Sequence, residues 1–118
     1  MPQLDLSERT VEGHPAIAVS GQLTILTAPD LRRLLMKHVR RDEPALLLDL
    51  SGLSFMDTSG LATLIETQLK VEEHGGRLVL FGLQPLIAEV FDVTRVTKLF
   101  TIHESESDAV LALDSPDD

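Results

Sequence analysis

The run Ala45-Leu46-Leu47-Leu48-Asp49-Leu50 restricts the fold more than any other stretch of this chain. It is nearly all apolar, and it is too short to span a bilayer. A strand of this kind belongs in the middle of a sheet that helices cover. Leu78–Phe81 is a second apolar strand, and Leu99–Ile102 reads as a brief last one. Between them lie segments of helical period. Leu31, Leu34, Leu35 and Val39 share one face, with Arg32, Arg33, Lys37, Arg40 and Arg41 largely off it. Leu61, Leu64, Ile65 and Leu69 repeat at helical spacing up to Gly75-Gly76, a glycine stop. Gln84-Pro85 opens a helix carrying Leu86, Ile87, Val90 and Phe91. Ser105 is expected to cap a terminal helix through Leu113.

Two further strands precede the first helix. Gln3–Val11 alternates loosely and ends at the turn signal Glu12-Gly13, and Ala16–Val19 stops at Gly21. They read as a hairpin. Thr27 is placed to cap the first helix, with Pro29 in its first turn. The order is therefore β-β-α-β-α-β-α-β-α. Strands that alternate with helices imply a mixed, mostly parallel sheet of about five strands with about four helices, an α/β fold. The 118 residues suit one domain over 1–118, with 115–118 expected to fray.

Composition narrows the chemistry. There is no cysteine, which excludes disulfides, zinc–thiolate sites, iron–sulfur clusters and a thiol nucleophile. The net charge is −9, and no Lys or Arg follows Lys98. Such a surface repels a phosphate backbone and an anionic membrane alike, so neither nucleic acid nor direct membrane insertion is expected. The N-terminus lacks a basic start followed by an apolar run, and the expected compartment is the cytoplasm. His14, His38, His74 and His103 are scattered and read as solvated side chains. No P-loop or dinucleotide glycine pattern occurs, and Ser59 has no G-x-S-x-G context. We expect no catalytic residue, no metal and no cofactor, hence a non-enzyme.

The segment that carries function is Ser51–Gly60, read as a polar, Gly-rich connection from a strand to a helix. In open α/β sheets, ligands and partners gather at such junctions. Asp57, Thr58 and Ser59 are all plausible N-cap residues, and one acid and two hydroxyls can simply start a helix. The same position suits a modifiable hydroxyl. A phosphate there meets free backbone N–H groups and the positive end of the helix dipole. A partner packed on that surface would instead face about −1.5 to −2 new charges beside Asp57.

Asp49–Leu61 is similar to the motif D-L-x-x-[LV]-x-[FY]-M-D-[ST]-[ST]-G-L of STAS domains, specifically of bacterial anti-sigma factor antagonists. Gly21-Gln22-Leu23 followed by Thr27-Ala28-Pro29, then Gly75-Gly76-Arg77-Leu78, then Phe91-Asp92-Val93-Thr94 match the same family in order and spacing. The resemblance covers nearly the whole chain and implies a phosphorylation-controlled partner switch. The unmodified antagonist would bind an anti-sigma factor that is a serine/threonine kinase of the histidine-kinase-like ATPase fold, freeing the sigma factor. The kinase would phosphorylate Thr58, with Ser59 as the fallback, and a PPM-type phosphatase would reset the switch. Partner binding would fall to Gln22, Thr24, Met56, Asp57, Ser59, Gly60 and Leu61. Relatives often carry G-E-L-D where this chain has Gly21-Gln22-Leu23-Thr24, so two acidic contacts are neutral here. A threonine at the acceptor position also occurs in STAS subunits of stressosomes and lipid-transport ABC complexes. A structural or regulatory subunit without phosphorylation is therefore the alternative.

A receiver domain of a response regulator has similar length and alternation. It needs an acidic pair after its first strand and a Lys near its last, and here the pair is missing and Lys98 precedes the last strand. An aspartic-protease reading of Asp57-Thr58-Ser59-Gly60 fails too, because that motif needs Gly directly after Thr or Ser on an all-β frame.

Overall fold

In a computed structural model of the protein, residues 3–114 are described. Five strands form one sheet in the order β1-β2-β3-β4-β5. They are β1 (Leu4–Val11), β2 (His14–Leu23), β3 (Ala45–Met56), β4 (Arg77–Phe81) and β5 (Thr101–His103). The helices are α1 (Ala28–Arg40), α2 (Thr58–Glu73), α3 (Pro85–Val93) and α4 (Glu106–Asp114), with a 3₁₀ turn at Thr97–Leu99. This is the expected element order. The terminal stretch 115–118, expected to fray, lies outside the described residues. No described helix is long and apolar enough to cross a membrane.

β1 and β2 pair antiparallel around Glu12-Gly13, whose φ values of 50° and 83° give the primed turn that a two-residue hairpin favours. All other pairings are parallel. Right-handed crossovers between successive neighbours put α1, α2 and α3 on one face. Ile17, Val19, Leu46, Leu48, Leu50, Leu53, Leu78 and Leu80 point into that layer and form the main core with Leu31, Leu35, Leu64, Ile87 and Phe91. The Phe91 and Phe100 rings meet edge to face, 5.2 Å apart. The opposite face carries a smaller core, where Val11, Ala16, Leu47, Val79 and Phe81 pack against Ala109 and Val110 of α4. Leu47 and its neighbour Leu48 thus serve opposite layers, which is why the Ala45–Leu50 run is apolar without alternation.

β3 departs from expectation in length. It does not end at Leu50 but runs to Met56, so most of the expected connection is strand. Two register shifts against β2 explain this, one between Ala18 and Ser20 and one between Gly21 and Gln22. Each adds a residue on β3, so Leu50, Leu53 and Met56 are all buried at a spacing of three. A period of two conceals such a strand. Gly21 sits at the second shift with φ 100°, and a Cβ there would lie 2.2 Å from the Gln3 carbonyl oxygen.

Two other expectations are corrected. The buried stripe of α2 runs through Gly60, Leu61, Thr63, Leu64, Thr67, Gln68 and Val71, while Leu69 is half exposed. The threonines are tolerated because their hydroxyls donate to carbonyls one turn back, Thr63 to Ser59 O at 3.3 Å and Thr67 to Thr63 O at 2.8 Å. His38 is buried rather than solvated. Its Nε2 faces Glu8 Oε1 at 2.8 Å and its Nδ1 faces Glu43 Oε2 at 2.5 Å, tying β1 and the α1–β3 connection to α1. The His38 contact is the main reason that the Glu8 carboxyl is held below its ordinary range. Ser105 behaves as expected: its hydroxyl accepts from the Asp108 N–H at 3.1 Å and caps α4.

Candidate functional site

The site lies where β2 and β3 end and α1 and α2 begin. Asp57 alone separates β3 from α2. Its extended backbone (φ −98°, ψ −176°) turns the chain, and its N–H donates to the Leu23 carbonyl at 3.0 Å. Oδ1 accepts from the Gly60 N–H at 3.0 Å and caps α2. Oδ2 accepts from the Ile25 N–H at 3.0 Å, across 32 residues of sequence. One carboxylate therefore serves the helix start and the β2–α1 loop together.

Gly60 lets the two parts meet. A Cβ on Gly60 would lie 2.6 Å from Leu23 Cγ and 2.9 Å from the Leu23 carbonyl oxygen. Only a residue without a side chain allows α2 to start this close to the end of β2.

The β2–α1 loop is internally bonded. The Thr27 N–H donates to the Thr24 carbonyl at 3.1 Å, closing a turn over Thr24–Thr27. The Thr27 hydroxyl accepts from the Thr24 N–H at 2.9 Å and donates to the Gln22 carbonyl at 2.8 Å. The Thr24 hydroxyl accepts from the Leu26 N–H at 3.1 Å. Thr27 thus makes no side-chain cap for α1, contrary to expectation, because its hydroxyl is committed to the loop. The turn carries two side chains that the sequence reading passed over: Ile25 is 68% exposed and Leu26 is 70% exposed. Adjacent apolar residues on a bonded turn are an unusual thing to hold in water. The only hint in the sequence was the pair Ile25-Leu26 standing between two threonines.

The expected site residues divide by burial. Thr58 is exposed at the first position of α2, Gln22 is exposed, and Asp57 and Ser59 are half-buried. Thr24, Met56, Gly60 and Leu61 are buried. The latter shape the junction from beneath; they do not present side chains at its surface. The Thr58 hydroxyl makes no hydrogen bond among the described residues. It stands at the positive end of a 16-residue helix, where first-turn N–H groups lack intrahelical acceptors. α1 and α2 are also joined at their outer surface. Arg32 Nε and Nη2 each donate at 2.8 Å to the Glu66 carboxylate, and this holds the Glu66 carboxyl below its ordinary value.

Comparison with known proteins supports the same assignment of fold. The chain is 27% identical over 105 residues to the anti-sigma-B factor antagonist of Listeria monocytogenes, covering 89% of this chain and 91% of that protein. It is 24% identical over 101 residues to the anti-sigma-B factor antagonist of Staphylococcus epidermidis, covering 86% and 94%. The crystal structure of an anti-sigma factor antagonist from Mycobacterium paratuberculosis superposes with a TM-score of 0.88 at 26% identity, over 96% of both chains. The Bacillus cell fate determinant SpoIIAA in its phosphorylated form superposes with a TM-score of 0.69 at 19% identity, over 93% of this chain and 98% of that one. The sequence profile of the STAS domain matches residues 6–109, which take in β2 to β5, most of β1 and the junction at Asp57, and the chain therefore belongs to the STAS domain family.

Proposed function

We propose that this STAS domain is an anti-sigma factor antagonist of the cytoplasm, acting as one unit over residues 1–118 and switched by phosphorylation of Thr58. Unmodified, it binds an anti-sigma factor kinase and so frees a sigma factor. The observation that carries this reading is the state of the Thr58 hydroxyl: exposed, unbonded among the described residues, and at the start of α2 next to Asp57, which holds an apolar turn. Relatives named as anti-sigma-B factor antagonists, matched over most of both chains, support the antagonist role. A structural neighbour known in a phosphorylated form supports the modification.

In the step itself, Thr58 Oγ1 attacks the γ-phosphorus of the kinase's ATP. The bond from that phosphorus to the ADP oxygen breaks, ADP leaves, and the hydroxyl proton passes to a base of the kinase. This chain supplies only the acceptor, so it is a substrate and not an enzyme. The helix end tolerates the product because N–H groups and the dipole favour an anion there. The partner does not tolerate it, because about −1.5 to −2 charges would have to be desolvated in the contact. A phosphatase of the PPM type hydrolyses the ester and restores binding.

Gln22, Ser59 and the exposed flank of Asp57 belong to the docking surface. Thr24, Met56, Gly60 and Leu61 support it from below. Incubation with the cognate kinase and ATP, followed by mass spectrometry, tests the reading. Phosphate is expected on Thr58, Thr58→Ala should bind the kinase but resist modification, and Thr58→Asp should weaken binding. Modification at another residue, or none by a kinase that binds the protein, overturns the switch.

A further inference from the structure

Among the described residues, the Asp57–Ile25 bond is the single hydrogen bond between the Thr24–Thr27 turn and the start of α2. The same carboxylate caps α2 through Gly60. The turn it holds carries the two most exposed large apolar side chains near the junction, Ile25 and Leu26. We infer that Asp57 is the positioning residue through which a phosphate on Thr58 is read by this turn, so that modification releases the Ile25–Leu26 pair from its placement beside the acceptor. The inference rests on the Thr58 reading above and adds how the mark is transmitted.

The physics runs through one carboxylate. Phosphoryl transfer makes the Oγ1–P bond at the expense of the bond to ADP, with kinase and ATP supplied as in that reading. The product is an anion of about −1.5 to −2 charge one residue from Asp57. It is drawn to the same first-turn N–H groups and the same helix end that Asp57 occupies. It also repels the Asp57 carboxylate at short range, in a partly buried setting where screening is weak. The phosphate has three acceptor oxygens and can take over the first-turn N–H groups, so α2 keeps a cap. The Ile25 N–H gains no such substitute. The turn therefore loses its tether while the helix survives. A partner that buried Ile25 and Leu26 loses a preorganised apolar contact in addition to meeting the new charge.

The neutral composition of the loop makes this route matter here. Gln22 and Thr24 carry no charge, so the phosphate has no acidic loop side chain to push against. The turn responds to it only through a hydrogen bond, and Asp57 provides that bond.

The test needs no kinase. Phosphothreonine is placed at position 58 of the full chain by genetic encoding, and amide hydrogen exchange is followed by NMR against the unmodified protein. Exchange at Ile25 is expected to accelerate about tenfold, the loss of one modest hydrogen bond, while sheet amides and Gly60 keep their protection. Asp57→Ser keeps one capping oxygen but has no second acceptor. In it, Ile25 should exchange fast already and ignore the phosphate. Ile25→Pro removes the donor at the second position of the turn, where proline fits. In it, the Leu26 and Thr27 amide shifts should no longer follow phosphorylation. The inference is overturned if Ile25 exchange changes by less than about twofold on a verified phosphothreonine protein. It is also overturned if the turn responds to phosphate equally in Ile25→Pro. Because the phosphate is installed directly, such a failure leaves the kinase reading standing. Failure of the kinase assay leaves the response of the turn measurable.

Discussion

Two threonines stand at two helix starts in this molecule and do opposite things. Thr27 precedes α1, is buried, and places its hydroxyl between the Thr24 N–H and the Gln22 carbonyl. Thr58 opens α2, is exposed, and leaves its hydroxyl unbonded among the described residues. Both positions look like caps in the sequence, and neither side chain caps its helix. The N-cap of α2 is Asp57, and this releases the next hydroxyl from structural duty. A residue with no role in holding the fold can be modified without unfolding it. A residue with a full hydrogen-bond complement cannot.

The comparison can be broken in four ways. Gly60→Val should have the largest effect, up to about 3 kcal/mol of lost stability in chemical denaturation, because overpacking would drive a side chain into Leu23 and separate α2 from β2. Thr27→Val should cost about 2 kcal/mol by taking the hydroxyl from the buried Thr24 N–H and the part-buried Gln22 carbonyl, whereas Thr58→Val should stay within about 0.5 kcal/mol. Equal costs at the two threonines would overturn the contrast. Asp57→Ala should cost about 1 kcal/mol, the usual loss for an N-cap acid, and raise exchange at both Gly60 and Ile25.

The smallest effect concerns how the two helices are held together. Hydrogen bonding to Arg32, together with its charge, keeps the Glu66 carboxyl below its ordinary value of 4.5. A lowered native value means that the stabilisation is fully present above the unfolded value and fades as pH falls through the native one. Glu66→Gln should therefore cost less than about 1 kcal/mol at neutral pH, since Arg32 is exposed and Glu66 only partly buried, so solvent screens the pair. The difference from the unaltered protein should shrink below pH 4.5. A cost that grew on acidification would contradict the sign.

Much of the fold was legible because it follows from local patterning. The Ala45–Leu50 run demanded a central strand, Glu12-Gly13 demanded a tight hairpin, and Ser105 capped the helix that it precedes. Two of the misses share one cause: each concerns a group with a partner distant in the chain. The second half of β3 hides behind two register shifts that only β2 reveals. His38 reads as a surface residue until Glu8 and Glu43 close over it. The buried face of α2 includes threonines that satisfy themselves within the helix, so a count of apolar residues sets its stripe slightly wrong.

The candidate site divides along the same line. The sequence alone determined that a helix begins near Asp57, that two hydroxyl residues follow, and that no cysteine-based chemistry or nucleotide-binding glycine motif is present. Those are properties of residue type and near-neighbour spacing. Only the tertiary structure decided that the Thr27 hydroxyl is committed while the Thr58 hydroxyl is free among the described residues, because that depends on how the β2–α1 loop folds and on Asp57 taking the cap of α2. It also decided that the exposed Ile25–Leu26 turn is tied to Asp57, since a hydrogen bond spanning 32 residues leaves no trace in local pattern.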